Sequence, residues 1–93
     1  MEQEIPIRVR LPRRGEVLGE VESLLGASRF IVRCKDGKTR TCRIPGKFRK
    51  KIEIRIGFVV LIIPWSIEPD TKGDIEWIYN KTEANWLRTR GHV

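Results

Sequence analysis

Apolar and polar residues alternate along much of the chain, with the period of two that is typical of half-buried β-strands. In two segments, from 29 to 34 and from 39 to 44, five apolar residues lie at even positions: Phe30, Val32, Cys34, Cys42 and Ile44. The Asp36-Gly37 pair between these segments is a hairpin signal. The pattern therefore predicts a β-hairpin with one apolar face.

The register of this hairpin follows from placing both apolar sets on the same face. A two-residue loop would put Phe30 opposite Arg43, so that every inward residue would face an outward one. A three-residue loop that ends at a left-handed Gly37 pairs Phe30 with Cys42 and Arg29 with Arg43. We predict the second register, because a slip of one residue would turn the core residues to solvent.

Three further strands are predicted around the hairpin. Alternation from Gly15 to Leu25 gives a first strand with an acidic outer side, which should not touch nucleic acid. Gly19 lies on its inner side, where a missing side chain lets a small barrel bend. The apolar run 58–63 is typical of a fully buried strand, and the alternation of Ile75, Trp77 and Tyr79 predicts a fifth.

Two short helices complete the predicted elements. Phe48 and Ile52 are four residues apart, so both can lie on one side of a helical turn between the third and fourth strands. Near the C-terminus, Thr82 is a candidate N-cap for a helix that would need Trp86 and Leu87 packed on the barrel for stability. Five strands with a helical turn after the third indicate an all-β, five-stranded OB-fold barrel.

The predicted organisation is one small domain with two appendages. Residues 1–14 form an extended basic arm, residues 15–81 the OB-fold domain, and residues 82–93 the C-terminal helix. Whether the arm reaches a phosphate backbone or only adds solubility stays open.

The distribution of charge along the chain indicates what this fold binds. Between Arg29 and Arg55 the chain has eleven Lys and Arg against two acids, a net charge of +9, whereas the whole chain carries +7. Positive charge concentrated in this way attracts a polyanion. Of the ligands that OB folds bind, it favours nucleic acid.

The predicted register places these cations on an outer surface. Arg29 lies opposite Arg43, with Arg33 on the same face, and like charges across a strand pair are unfavourable unless an anion lies between them. Four more cations follow Pro45: Lys47, Arg49, Lys50 and Lys51. A solvated strand face and a merely solubilising basic turn remain the alternative interpretations.

Other classes of function find little support. One histidine, His92, and no carboxylate pair on the basic side argue against an enzyme. Cys34 and Cys42 lack zinc-site spacing and are predicted to be reduced core residues of a cytoplasmic protein without cofactors or metals. No apolar run reaches the ~20 residues of a membrane span, and no export signal begins the chain.

The kind of nucleic acid follows from the side chains on the basic face. The face holds no aromatic residue, whereas single-strand binders of this fold stack bases on aromatics. Trp65 and Trp77 have no cation beside them in sequence and are predicted to close the barrel core rather than to stack bases. Recognition of structured RNA through its backbone and shape fits better.

The chain resembles archaeal translation initiation factor 1A, the counterpart of eukaryotic initiation factor 1A and bacterial initiation factor 1. The resemblance lies in DGKTRTCRIPGKFRKKIEIRIGFVVLIIPW, in KGDIEWIY and in the upstream RVRLPRRGEVLGEVESLLGASR, and so covers nearly the whole chain. Two positions depart from it. Glu53 stands where an aromatic is common in the family, and Phe58 where an acid is usual.

The resemblance implies an S1-like OB fold that binds small-subunit ribosomal RNA in the A site near the decoding centre. There the factor would promote correct initiator tRNA placement, as a monomer acting with other initiation factors. Together, the basic segment and the resemblance predict these RNA-binding residues: Arg29, Arg33, Arg40, Arg43, Lys47, Arg49, Lys50, Lys51 and Arg55. The alternative is a general RNA chaperone or single-strand RNA-binding protein of the S1 or cold-shock type.

Overall fold

The computed structural model describes residues 8–45 and 53–93. Within them the chain forms five β-strands followed by a helix. The strands are β1 (Val17–Gly26), β2 (Arg29–Cys34), β3 (Thr39–Arg43), β4 (Val59–Pro64) and β5 (Lys72–Ile78), and the helix is α1 (Lys81–Thr89). The short helix predicted between the third and fourth strands, with Phe48 and Ile52, lies outside the described residues.

The strands close into a barrel in the order β1-β2-β3-β5-β4. Neighbouring strands are antiparallel except β3 and β5, which pair in parallel through Thr41 with Lys72, Cys42 with Gly73, and Arg43 with Asp74. This arrangement confirms the predicted OB-fold barrel. It also brings the C-terminal end of β3 beside the beginning of β5, two segments that are far apart in sequence.

The predicted hairpin register is confirmed. Phe30 pairs with Cys42 and Arg29 with Arg43. Gly37 has a φ of 90°, a left-handed conformation that a residue without Cβ adopts without strain. Phe30 and Cys42 therefore point into the barrel, and the two arginines point outward.

Residues 8–45 and 53–93 form two apolar cores that share β4. One fills the barrel and includes Val60 and Ile62, while the other lies between the barrel wall and α1 and includes Val59 and Leu61. All four side chains are fully buried, which explains the unbroken apolar run of this strand. Leu87 of α1 is likewise fully buried in the outer core, as its predicted packing requires.

Two glycines allow the barrel strands to approach each other closely. A Cβ on Gly19 would lie 2.6 Å from Val32 Cγ1, and a Cβ on Gly73 would lie 2.6 Å from Ile62 Cγ2. Both distances are shorter than van der Waals contact allows, so a side chain at either position would push the strands apart. Gly19 thus has the inner location predicted for it.

The prediction that Trp77 closes the barrel core is wrong. A bulge interrupts the pairing of β4 with β5, since Leu61 pairs with Trp77 and Ile62 with Ile75. The extra residue reverses the alternation, so that Ile75 points into the barrel and Trp77 is 41% exposed. Nothing in the spacing of apolar residues signals this bulge.

The helix begins earlier than predicted. Asn80, not Thr82, is the N-cap, and its side chain accepts a hydrogen bond from the Glu83 backbone N–H while the Glu83 side chain accepts one from the Asn80 N–H. This reciprocal pair is a capping box. Gly91 follows the helix in a left-handed conformation, with φ of 80°.

The segment before β1 is attached to the domain where it is described. Val9 packs against the outer core, and the Tyr79 hydroxyl donates a hydrogen bond to the Arg10 carbonyl. The Arg10 guanidinium contacts both carboxylate oxygens of Glu16. The boundary of the N-terminal arm at residue 14 stays a prediction, but the C-terminal half of this arm contacts the barrel.

No helical segment among the described residues, α1 included, is long and apolar enough to cross a membrane.

Candidate nucleic-acid interface

The outer face of β2 and β3 forms a surface that we call the arginine wall: Arg29, Ile31, Arg33, Thr41 and Arg43. The pairing of Arg29 with Arg43 and of Ile31 with Thr41 places these residues on one side of the sheet. The three arginines are exposed. The wall thus presents three guanidinium groups to solvent, as the alternation predicts.

Carboxylates at the edges of the wall hold two of these guanidinium groups. Arg43 Nε donates to Asp74 Oδ1 at 3.0 Å, and Arg33 Nη2 donates to Glu20 Oε1 at 3.1 Å. The side chains of Arg33 and Arg43 are 63% and 59% exposed, so these ion pairs stabilise the fold little. Each guanidinium keeps further N–H donors with which to bind a phosphate.

The acidic outer side predicted for the first strand lies beside this wall. Glu20 also accepts a hydrogen bond from Arg88 of α1, at 2.6 Å. The Glu20 carboxylate of β1 is therefore hydrogen-bonded to side chains of both β2 and α1. The acidic side limits how far along β1 a polyanion is attracted.

Arg40, which we predicted to bind RNA, is buried. Its side chain is 3% exposed, its Nη atoms donate to both oxygens of Asp36, and its Nε donates to the Pro69 carbonyl. The hydrogen bonds from Arg40 lower the pKa of Asp36. We therefore leave Arg40 out of the candidate interface, because its guanidinium is buried and hydrogen-bonded to groups of the protein itself.

The remaining predicted site residues fall into two groups. Arg55 is exposed and donates to Glu53, which is itself 74% exposed. The cations after Pro45 lie outside the described residues and stay sequence predictions: Lys47, Arg49, Lys50 and Lys51. Phe58, the second departure from the family pattern, packs against the barrel core.

The cysteines are structural. Cys34 and Cys42 are buried free thiols. Burial raises the pKa of Cys34, and it raises the pKa of Cys42 to about 12. Both remain protonated at neutral pH, which makes them unreactive. No group of three or more His, Cys, Asp or Glu residues within 8–45 and 53–93 is arranged to hold a metal ion.

Trp65, which we predicted to close the barrel core, instead lies beside the arginine wall. It is half-buried, and its ring centroid lies 4.9 Å from the Arg43 guanidinium carbon and 5.8 Å from Lys72 Nζ. Both distances are in the range of cation–π contacts. The expectation that no cation adjoins Trp65 holds along the sequence but not in space, since these cations come from β3 and β5.

Comparisons with known proteins agree on one family. The sequence model of the family "Translation initiation factor 1A / IF-1" matches residues 7–93. Translation initiation factor 1A of Methanothermobacter thermautotrophicus is 51% identical over 86 residues, which cover 92% of this chain and 87% of that protein. The factor of the same name from Methanococcus aeolicus is 49% identical over 90 residues, covering 95% and 86%.

Solved structures show the same fold. The solution structure of translation initiation factor 1 from the Wolbachia endosymbiont strain TRS of Brugia malayi matches with a TM-score of 0.54 and 34% identity, over 72% of this chain and 79% of that one. The crystal structure of YjeQ from Thermotoga maritima matches with a TM-score of 0.55 at 24% identity, over 70% and 23%. The second likeness concerns the fold alone.

Proposed function

Since the chain belongs to the family of translation initiation factors 1A and 1, it acts in translation initiation, and we propose that it does so by binding ribosomal RNA of the small subunit. The proposed place is the A site, near the decoding centre. Bound there, the protein occludes the A site and favours correct placement of the initiator tRNA. It acts as a non-catalytic monomer together with other initiation factors.

One observation supports the RNA contact above the others: three exposed arginines share the outer face of β2 and β3. In OB folds this face and the adjoining loops bind oligonucleotides. Arg29 and Arg43 are directly opposite each other, an arrangement that costs free energy in the unbound protein. A phosphate between them removes the repulsion and adds charge-assisted hydrogen bonds.

The proposal extends to the cations after Pro45 on sequence grounds. Lys47, Arg49, Lys50 and Lys51 follow the end of β3 closely in the chain. Arg55 belongs to the same basic segment. These residues would lengthen the footprint on the RNA backbone beyond the wall itself.

Co-sedimentation with small ribosomal subunits tests the placement of this interface. The double variant Arg29→Gln/Arg43→Gln should bind subunits at least about tenfold more weakly than the unchanged protein, because two phosphate contacts are lost. The slope of log affinity against log salt should fall by about 2 in magnitude. Both side chains are exposed, so the melting temperature should hardly change.

A matched control removes the same charge from the region of α1. Lys81→Gln/Arg90→Gln also lowers the net charge by two, but these exposed residues belong to the helix and its C-cap and not to the wall. This variant should co-sediment as the unchanged protein does. If the wall variant and the control lost equal affinity, binding would depend on net charge alone, and the proposed interface would be wrong.

Competition separates the initiation factor from the general RNA chaperone. An excess of unstructured RNA should displace the protein from vacant small subunits only weakly if the A site is the preferred target. A chaperone would bind the two kinds of RNA alike.

A further inference from the structure

Trp65, Arg43 and Asp74 form one hydrogen-bonded unit at the end of the arginine wall. A single carboxylate oxygen, Asp74 Oδ1, accepts from Trp65 Nε1 at 2.8 Å and from Arg43 Nε at 3.0 Å. The parallel pairing of β3 with β5 places Arg43 directly opposite Asp74. The backbone N–H of Trp65 donates to the Lys72 carbonyl at 3.0 Å, which ties the ring to β5 as well.

The ring of Trp65 lies at an open cleft. The cleft measures about 370 Å³, and its lining includes the apolar residues Pro64 and Ile67 as well as the charged residues Arg43 and Asp74. Ile67 is 75% exposed. A tryptophan that only filled the core would be enclosed by apolar side chains, whereas this ring borders solvent.

The chemistry of the cleft favours a nucleobase. The indole N–H of Trp65 is already bonded to Asp74, so the ring has no free donor and can bind a ligand only through the part of its π surface that Arg43 and Lys72 leave uncovered. Arg43 and Lys72 stand over the ring at 4.9 and 5.8 Å, where cations attract the phosphates that flank a base. A second, smaller cavity of about 80 Å³ is lined by Trp65 and by Arg29, so the same ring also adjoins the arginine wall.

We propose that Trp65 is a stacking platform for one unpaired base of the bound RNA, and that Asp74 positions both its ring and the Arg43 guanidinium. The proposal rests on the proposed function and deepens it. Recognition then includes an unstacked nucleotide as well as backbone and shape, because Trp65 adjoins the end of an arginine wall that itself holds no aromatic residue. Base–aromatic stacking tolerates any base, so the platform selects unpaired RNA rather than a particular sequence.

The experiment compares binding of a short unpaired oligoribonucleotide with binding of a blunt-ended RNA duplex of the same length. Trp65→Leu should bind the unpaired strand about 5- to 150-fold more weakly, the range that loss of one stacked base implies. Its affinity for the duplex should stay the same, and so should its salt dependence, because no charge is removed. Trp65→Phe keeps an aromatic ring and should restore most of the affinity.

Trp77→Leu is the matched control. Trp77 is a second tryptophan at the barrel surface, 41% exposed, but it lies on β5 and does not line the cleft. This variant should bind both RNAs as the unchanged protein does. A thermal melt of each variant checks that the barrel is folded.

Two results would overturn the stacking platform. The first is full affinity of Trp65→Leu for the unpaired strand, and the second is an equal loss of affinity for strand and duplex. If full RNA affinity came with loss of co-sedimentation with small subunits, the ring would be assigned to a protein contact. In each case the variant Arg29→Gln/Arg33→Gln, which leaves the hydrogen bonds among Trp65, Asp74 and Arg43 in place, decides separately whether the arginine wall, and with it the proposed function, stands.

Discussion

Arg40 and Arg43 lie three residues apart on β3 and have opposite roles. Arg43 points outward and is 59% exposed, whereas Arg40 points inward and is 3% exposed. A buried cation requires hydrogen-bond partners, and Arg40 finds them in Asp36 of the hairpin loop and Pro69 of the loop between β4 and β5. Arg40 thus joins two loops and stabilises the fold.

Replacing Arg40 should therefore affect stability. Arg40→Met keeps the apolar stem and removes the bonds to Asp36 and Pro69, so we expect a loss of about 2 kcal/mol in the free energy of unfolding at neutral pH. The control Arg55→Met breaks an ion pair whose side chains are 68% and 74% exposed, and should cost less than about 0.5 kcal/mol. Urea denaturation measures both.

The pH dependence of this effect has a definite sign. Arg40 lowers the pKa of Asp36 in the folded protein, so the pair stabilises the fold above the unfolded pKa of about 3.9 and loses that contribution as pH falls through the lowered value. The difference in stability between the unchanged protein and Arg40→Met should therefore shrink below about pH 4. A difference that stayed constant down to the lowest pH at which both proteins fold would show that Asp36 contributes nothing.

At the scale of the element, α1 shows how a helix terminus is selected. Thr82 suits an N-cap by residue type, but Asn80 has the correct spacing to Glu83 for reciprocal hydrogen bonds. The N-cap also follows Tyr79, which is buried in the outer core and fixes where the chain leaves the barrel. Packing of a neighbouring residue thus decides between two acceptable caps.

Alanine substitutions should distinguish the two caps. Asn80→Ala should lower the free energy of unfolding by about 1 kcal/mol, because one backbone N–H of the first turn loses its acceptor. Thr82→Ala, at an exposed position inside the helix, should change it by less than about 0.5 kcal/mol. Thermal or urea melts followed by circular dichroism suffice, and the reverse order of the two costs would contradict the observed cap.

At the scale of the whole molecule, α1 is part of the folded unit. The helix covers Leu18 of β1 and Leu61 of β4, two leucines on the outside of the barrel. Arg88 of the same helix donates to Glu20 and to the Gly57 carbonyl. A barrel without this helix would expose the whole outer core to water.

The substitution Leu87→Ala tests whether α1 and the barrel unfold as one unit. The side chain is fully buried, so we expect a loss of about 2–5 kcal/mol in the free energy of unfolding. Helix and barrel should still unfold in one transition, with far-UV circular dichroism and tryptophan fluorescence giving the same midpoint. Separate midpoints would show that the helix is an independent appendage.

The sequence by itself determined the features that depend on near neighbours. Alternation along β2 and β3, with Gly37 at the turn, was enough to predict the register and to place Arg29 and Arg43 on one outer face. The unbroken apolar run likewise predicted the buried strand β4. These patterns hold because a strand turns successive side chains to opposite faces, whatever lies further along the chain.

Only the tertiary structure decided what depends on segments far apart. The parallel pairing of β3 with β5 brings Trp65 and Asp74 into contact with Arg43, and no local sequence pattern predicts this contact. Trp77 is exposed because β5 has one residue more than β4 at the bulge, and Arg40 is buried because two loops supply its partners. These contacts form only when the barrel closes, because every strand must then pair with both of its neighbours at the same time.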